Sequence, residues 1–160
     1  MHNVLNFSET EELFFMRAAL DEAINAKNKN EVPVGAVVIY KKKIVGVGSN
    51  SVIKDLSVTS HAEINAINMA SKVLKNYRLK DCVLFSTLEP CCMCASAIVH
   101  ARIRKLYFST REPKSGAVVS NINFFENNFL NHKVEIHEGI LKAVSARLIK
   151  DFFKARRVSV

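Results

Sequence analysis

The 160-residue sequence has no apolar run long enough to cross a membrane: its longest, residues 34–40, is the size of a strand. Its first residues, Met1-His2-Asn3-Val4, lack the basic stretch and apolar core of a signal peptide, so no export is expected. Cysteines are only four. Without an export signal they are expected to be reduced or metal-bound rather than paired in disulfides, and the expected compartment is the cytoplasm. Internal repeats, low-complexity tracts and linker-like stretches are absent, which predicts a single domain over residues 1–160. Acidic residues are short, 15 against 23 Lys and Arg, for a formal net charge of +8. The excess points to a polyanionic partner, although a solubilising surface would give the same balance.

Ser8 with Glu11 forms an S-x-x-E box that opens an amphipathic helix over 8–28, with Leu13, Met16, Leu20 and Ile24 on its core face. Residues 34–40 are rich in β-branched side chains and predict a strand; Lys41-Lys42-Lys43 turns the chain and 44–48 returns, giving a hairpin. A polar loop over 49–60 leads to a helix over 61–74, with Ile64, Ile67 and Ala70 or Ser71 inward. A strand at 81–87, a helix at 91–101 and a strand at 105–109 follow. A long polar loop over 110–131 then leads to a short strand at 133–137 and a final helix at 140–157. Helices interleaved with strands over this length predict one α/β sandwich, without fixing the directions of the last two strands.

The chemistry sits in Pro90-Cys91-Cys92-Met93-Cys94 and His61-Ala62-Glu63. Cys91 and Cys94, three residues apart at a helix start, share a face, and a helix N-terminus favours thiolate over thiol. Cys92 does not converge with them and is expected to pack as a small apolar group. His61 supplies a third ligand. A Cys, Cys, His set leaves one tetrahedral position open, the mark of a catalytic rather than a structural zinc site. Each half has a plainer explanation alone: Ser60 to Glu63 is also a capping box, and Cys-x-x-Cys is also a redox pair or half a structural zinc site. Together, His-x-Glu opening one helix and Pro-Cys-x-x-Cys opening the next are the signature of zinc nucleobase deaminases. Zn2+ there lowers the pKa of water to about 7, and Glu63 is expected to move the protons, first to a ring nitrogen and then to the departing ammonia.

Val32-Pro33-Val34-Gly35-Ala36-Val37, Gly48-Ser49-Asn50, His61-Ala62-Glu63, Asn76-Tyr77-Arg78-Leu79, the run from Thr87 to Cys94, Asn131-His132-Lys133-Val134-Glu135 and Asp151-Phe152-Phe153 closely resemble the bacterial tRNA-specific adenosine deaminases, over about residues 10–157. The resemblance implies a three-layer α/β/α cytidine-deaminase-like fold with a mixed five-stranded sheet, a homodimer and one Zn2+ per subunit. It also implies hydrolytic conversion of the wobble adenosine of an arginine tRNA anticodon loop to inosine. By position it implies His61, Cys91 and Cys94 as zinc ligands, Glu63 as proton shuttle, Asn50 as a hydrogen-bond partner of the flipped base, and Lys114, Asn131 and Phe153 as anticodon-loop contacts.

The sequence departs from the family pattern at Glu112, where an aspartate is usual, and at Ser57-Val58-Thr59, where Asp-Pro-Thr is expected. Neither touches the zinc chemistry; both bear on how RNA is held. The final helix carries Lys142, Arg147, Lys150, Lys154, Arg156 and Arg157 against Asp151, beside an apolar stripe of Leu141, Val144, Leu148 and Phe152. That charge fits an RNA backbone with splayed bases stacking nearby. A deaminase of free cytosine, guanine or cytidine would share the zinc core, but the basic helix and long loop favour a polymer. A zinc-stabilised RNA-binding module without catalysis would have no use for Glu63.

Overall fold

The structure, a computed structural model, describes residues 4–159. Helix α1 (Glu9–Asn28) opens at the expected capping box: the Glu11 amide donates to the Ser8 hydroxyl at 3.2 Å and the Ser8 amide donates to the Glu11 carboxylate at 2.9 Å. Ser8→Ala is expected to cost about 1 kcal/mol, read as a lower urea midpoint at unchanged m-value. The inward face differs from the expected one. Met16 is buried, but Leu13 and Leu20 are half-buried and Ile24 is exposed, while Phe15, Ala19, Ala23 and Ala26 point into the core. The helix lies so close to the sheet that mostly alanine side chains fit between them.

The hairpin forms as read, from β1 (Gly35–Tyr40) and β2 (Lys43–Ser49). Its two turn residues, Lys41 and Lys42, both have positive φ, 47° and 61°, as the right-handed twist of a two-residue hairpin requires. A single helical turn, α2 (Val52–Asp55), interrupts the expected loop before α3 (Ala62–Leu74). Then come β3 (Cys82–Leu88), α4 (Cys92–His100), β4 (Lys105–Thr110), a 3-10 turn (Phe124–Glu126), β5 (Glu135–Glu138) and α5 (Lys142–Val158).

The sheet order is β2-β1-β3-β4-β5. β1 runs antiparallel to β2 and β3, whereas β3–β4 and β4–β5 are parallel, which makes the sheet mixed as expected. Both faces are covered. Val37, Ile39, Val83 and Phe85 meet α1 on one side, and Ala36, Val38, Leu84 and Leu106 meet α3 and α4 on the other. Two-sided burial is why β1, β3 and β4 read as continuous apolar runs.

The 110–131 segment is not a free polar loop: Ala117, Val118 and Phe125 are buried under it. The final helix also departs from its expected packing. Of its apolar stripe only Phe152 is buried; Leu148 is half-buried, Val144 is exposed, and Leu141 caps the helix with a φ of 56°. Among the strands the helix packs mainly against β4 and β3, and in its last turn Arg156 donates to the Asn30 carbonyl at 2.7 Å; most of its residues stay exposed. Among the described residues no helix is long and apolar enough to cross a membrane.

This topology sets the site. A parallel β3–β4 pair needs a crossover, and α4 supplies it, so the amino end of α4 falls at the carboxyl end of β3. The first turn of α3 is pressed onto β2 beside it. A Cβ on Gly48 would strike the Ala62 carbonyl and lie 2.5 Å from the Ala66 nitrogen. Glycine at this position lets the helix that carries His61 and Glu63 sit against the strand.

Candidate active site

His61 is the N-cap of α3 and Cys91 the N-cap of α4, both with extended backbone, and neither side chain caps its own helix. They turn toward each other instead. His61 Nδ1 lies 3.7 Å from Cys91 Sγ and 3.5 Å from Cys94 Sγ, and the three donor atoms all fall within 4.8 Å of one another. The plainer alternative for Ser60 to Glu63, a capping box, is not what forms. With His61 as the cap, Glu63 is the second helical residue, one position short of the box, and its buried carboxylate runs inward. Oε1 accepts from the Ser86 hydroxyl at 3.3 Å and Oε2 from the Cys94 thiol at 3.5 Å. The one Ser86 hydroxyl proton is shared between Glu63 Oε1 and the Leu88 carbonyl, which is closer at 2.8 Å.

The electrostatics follow from burial and from these contacts. Desolvation raises the Glu63 carboxyl above its ordinary range. The hydrogen bond from Cys94 and, less strongly, the contact with His61 pull the Cys91 thiol down to about 4. Cys94, the donor in that bond and more deeply buried, is pushed up, and His61 is raised by Cys91. Cys91 therefore leans toward thiolate, Cys94 keeps its proton, and His61 is pushed toward its charged form. A metal ion held by the three would take the place of those protons. Two thiolates and an imidazole are a donor set that suits zinc.

Cys92 is exposed, not packed as the small apolar group expected of it. As the first residue of α4 it lies between the two ligand positions in sequence and on the other side of the turn in space.

A cavity of about 200 Å³ opens over His61 and Cys91, with Cys94 buried behind them. Val32, Val34, Asn50 and Glu63 line one side, and Leu88, Glu112, Ser115, Ile149 and Phe153 the other. A wider depression of about 430 Å³ adjoins it through Leu88, Glu112 and Phe153 and adds Arg111, Lys114 and Lys150. Asn50 and Phe153 thus share a cavity with His61 and Cys91, and Lys114 lines the adjoining depression. Among the described residues no hydrogen bond occupies the Asn50 side-chain amide, although its backbone N–H donates to the Val34 carbonyl at 3.1 Å. Asn131 lies elsewhere. It precedes β5, near the amino ends of β4 and β5, and accepts from Arg102 at 2.6 Å.

Ser86, Glu89 and Glu112 were not singled out as site residues by spacing or periodicity, yet all three border the cavity or touch Glu63. The one signal in the sequence is Glu89 itself, a charge placed between an apolar strand and a proline-cysteine turn.

Comparison with known proteins agrees with this geometry. The family model for MafB19-like deaminases matches residues 10–157. The tRNA-specific adenosine deaminase of Agrobacterium fabrum is 40% identical over 148 residues, 92% of this chain and 97% of that protein. The tRNA-specific adenosine deaminase of Rickettsia typhi is 41% identical over 147 residues, 91% of this chain and 99% of that protein. A solved structure from studies of A-to-I editing by tRNA:A34 deaminases at the wobble position of transfer RNA is 41% identical. It superimposes with a TM-score of 0.83 and covers 84% of this chain and 98% of its own. The chain belongs to the MafB19-like deaminases and, within them, to the tRNA-specific adenosine deaminases.

Proposed function

We propose that this protein is a tRNA adenosine deaminase that hydrolyses the wobble adenosine of an arginine tRNA anticodon loop to inosine. The observation that carries the reading is the convergence of His61, Cys91, Glu63 and Asn50 on one cavity whose open side is flanked by Lys114, Lys150 and Phe153. In this reading His61, Cys91 and Cys94 would hold one Zn2+, which when bound would make a water nucleophilic at neutral pH.

Each remaining role is borne by this chain's own side chains. Val32, Val34 and Leu88 give the flipped base apolar walls, and the free Asn50 amide fixes its orientation by hydrogen bonding. The Glu63 carboxyl, raised by burial, gains and releases a proton more readily near neutral pH than an exposed carboxylate. It moves one proton of the attacking water to a ring nitrogen, then the second, from the newly added hydroxyl, to the amine, which leaves as ammonia as the C–N bond breaks. Ser86 holds Oε1, leaving Oε2 on the side of the thiols. Phe153 offers an exposed ring for a neighbouring base to stack on, and Lys114 a cation for the backbone. Asn131, near the amino end of β4 and bonded to Arg102, is a further contact for the anticodon loop, and the protein acts as a homodimer. One deaminase domain, in the cytoplasm where tRNA is charged and read, completes the proposal.

The test is to incubate purified protein with arginine tRNA, free adenosine and free cytidine in parallel, then digest and assay. Inosine from tRNA alone supports the reading. Ammonia from free nucleosides alone points to a small-molecule deaminase, and no product from any of them to a non-catalytic RNA-binding module. Affinity for RNA is also expected to fall steeply with salt. The slope of log K against log[salt] should be roughly −0.7 for each phosphate neutralised, and a flat response contradicts the polymer substrate.

A further inference from the structure

Glu89 lies two positions before Cys91 and has no part in the chemistry above. Its side chain is buried, and both carboxylate oxygens are occupied. Oε1 accepts from the amides of Val118, Val119 and Ser120 at 3.1, 2.8 and 2.9 Å. Oε2 accepts from the Glu112 amide at 3.0 Å and from the Ser120 hydroxyl. A carboxylate has about four lone-pair sites, so five donors leave nothing free for substrate.

All five donors belong to one segment, 112–120, which has no regular secondary structure and supplies Glu112, Lys114 and Ser115 to the two cavities. The same segment is tied to the turn before Cys91 by the Ala117 amide, which donates to the Pro90 carbonyl at 2.9 Å. Gly116 allows the approach: a Cβ there would lie 2.5 Å from Glu89 Oε2.

We propose that Glu89 is a positioning residue that fixes the RNA-facing wall of the active site to the turn that carries Cys91. Wall and metal-binding turn then move as one body, and RNA meets Glu112 and Lys114 in a fixed relation to Glu63. The proposal rests on the RNA-deaminase reading above.

Glu89→Gln separates this role from catalysis. The amide oxygen still accepts from Val118, Val119 and Ser120, but the NH2 group cannot accept from the Glu112 amide. Metal content per chain is expected to stay at the wild-type value. KM for an anticodon stem-loop RNA should rise about tenfold while kcat stays within about threefold, because the chemistry is intact and the wall is loose. Hydrogen exchange at 111–121 should quicken in the same variant, and Glu89→Asp, which keeps the carboxylate, should recover part of the KM. Ser120→Ala removes one donor only, and a KM raised a few-fold is expected even if the glutamine variant fails to fold.

A loss of kcat at unchanged KM, loss of metal from Glu89→Gln, or wild-type kinetics and exchange in Ser120→Ala overturns the proposal. Exchange is measured on the protein alone. A wild-type protein inactive on RNA therefore counts against the deaminase reading, while exchange still decides whether Glu89 holds the segment.

Discussion

Glu63→Gln is expected to lower kcat on RNA by about 10³-fold or more while leaving the metal content per chain at its wild-type value. The size follows from the position of the carboxylate. It is buried, its Oε1 lies by the Ser86 hydroxyl and its Oε2 faces Cys94, which with His61 and Cys91 could hold a metal ion. Glutamine keeps the volume and a hydrogen bond with Ser86, so the fold and the ligand set survive. It cannot take a proton at neutral pH, so both proton transfers lose their carrier. Metal analysis and product formation on the same preparation separate a lost shuttle from a lost ion. Wild-type-like turnover in this variant contradicts the assigned role.

Gly48→Ala is expected to destabilise the fold by about 3 kcal/mol, a fall of roughly 10 °C in Tm. The obstruction is backbone rather than side chain: the new methyl meets the Ala62 carbonyl and, at 2.5 Å, the Ala66 nitrogen. Neither can rotate away, so the first turn of α3 must lift from β2 and carry His61 and Glu63 with it. Metal affinity should fall along with Tm, whereas Ser8→Ala should shift stability without touching metal. Calorimetry paired with metal titration checks both variants. An unchanged Tm in Gly48→Ala would mean that α3 does not lie as close to β2 as described.

The legible parts of this protein are those in which chemistry forces spacing. Cys91 and Cys94 three apart at one helix start, with His61 and Glu63 opening another, is the spacing that convergence of three candidate metal ligands and a carboxylate requires. The structure brings all four together. Ser8 with Glu11 is similarly local, and it forms as read.

What sequence pattern did not reveal depends on contacts between distant segments. Ile24 satisfies helical periodicity yet faces solvent, because the distance between α1 and the sheet selects alanines instead. Glu63 fits the fourth position of a capping box, but the cap is His61, which shifts Glu63 by one and frees it for the interior. Cys92 is small and thiol-bearing, and only the orientation of the α4 entry decides that it points outward. Glu89 binds donors 23 to 31 positions away, which no local window can contain. The direction of β5 is set by its pairing with β4, not by its own residues.

The central claim concerns which adenosine is changed. Two anticodon stem-loop RNAs of identical composition, one with adenosine at the wobble position and one with that adenosine moved along the loop, provide the most direct measurement. After incubation with the protein and nuclease digestion, mass spectrometry locates any inosine. Inosine is expected at the wobble position of the first RNA and none in the second. Equal conversion of both RNAs, or conversion of free adenosine at the same rate as the loop, would contradict it.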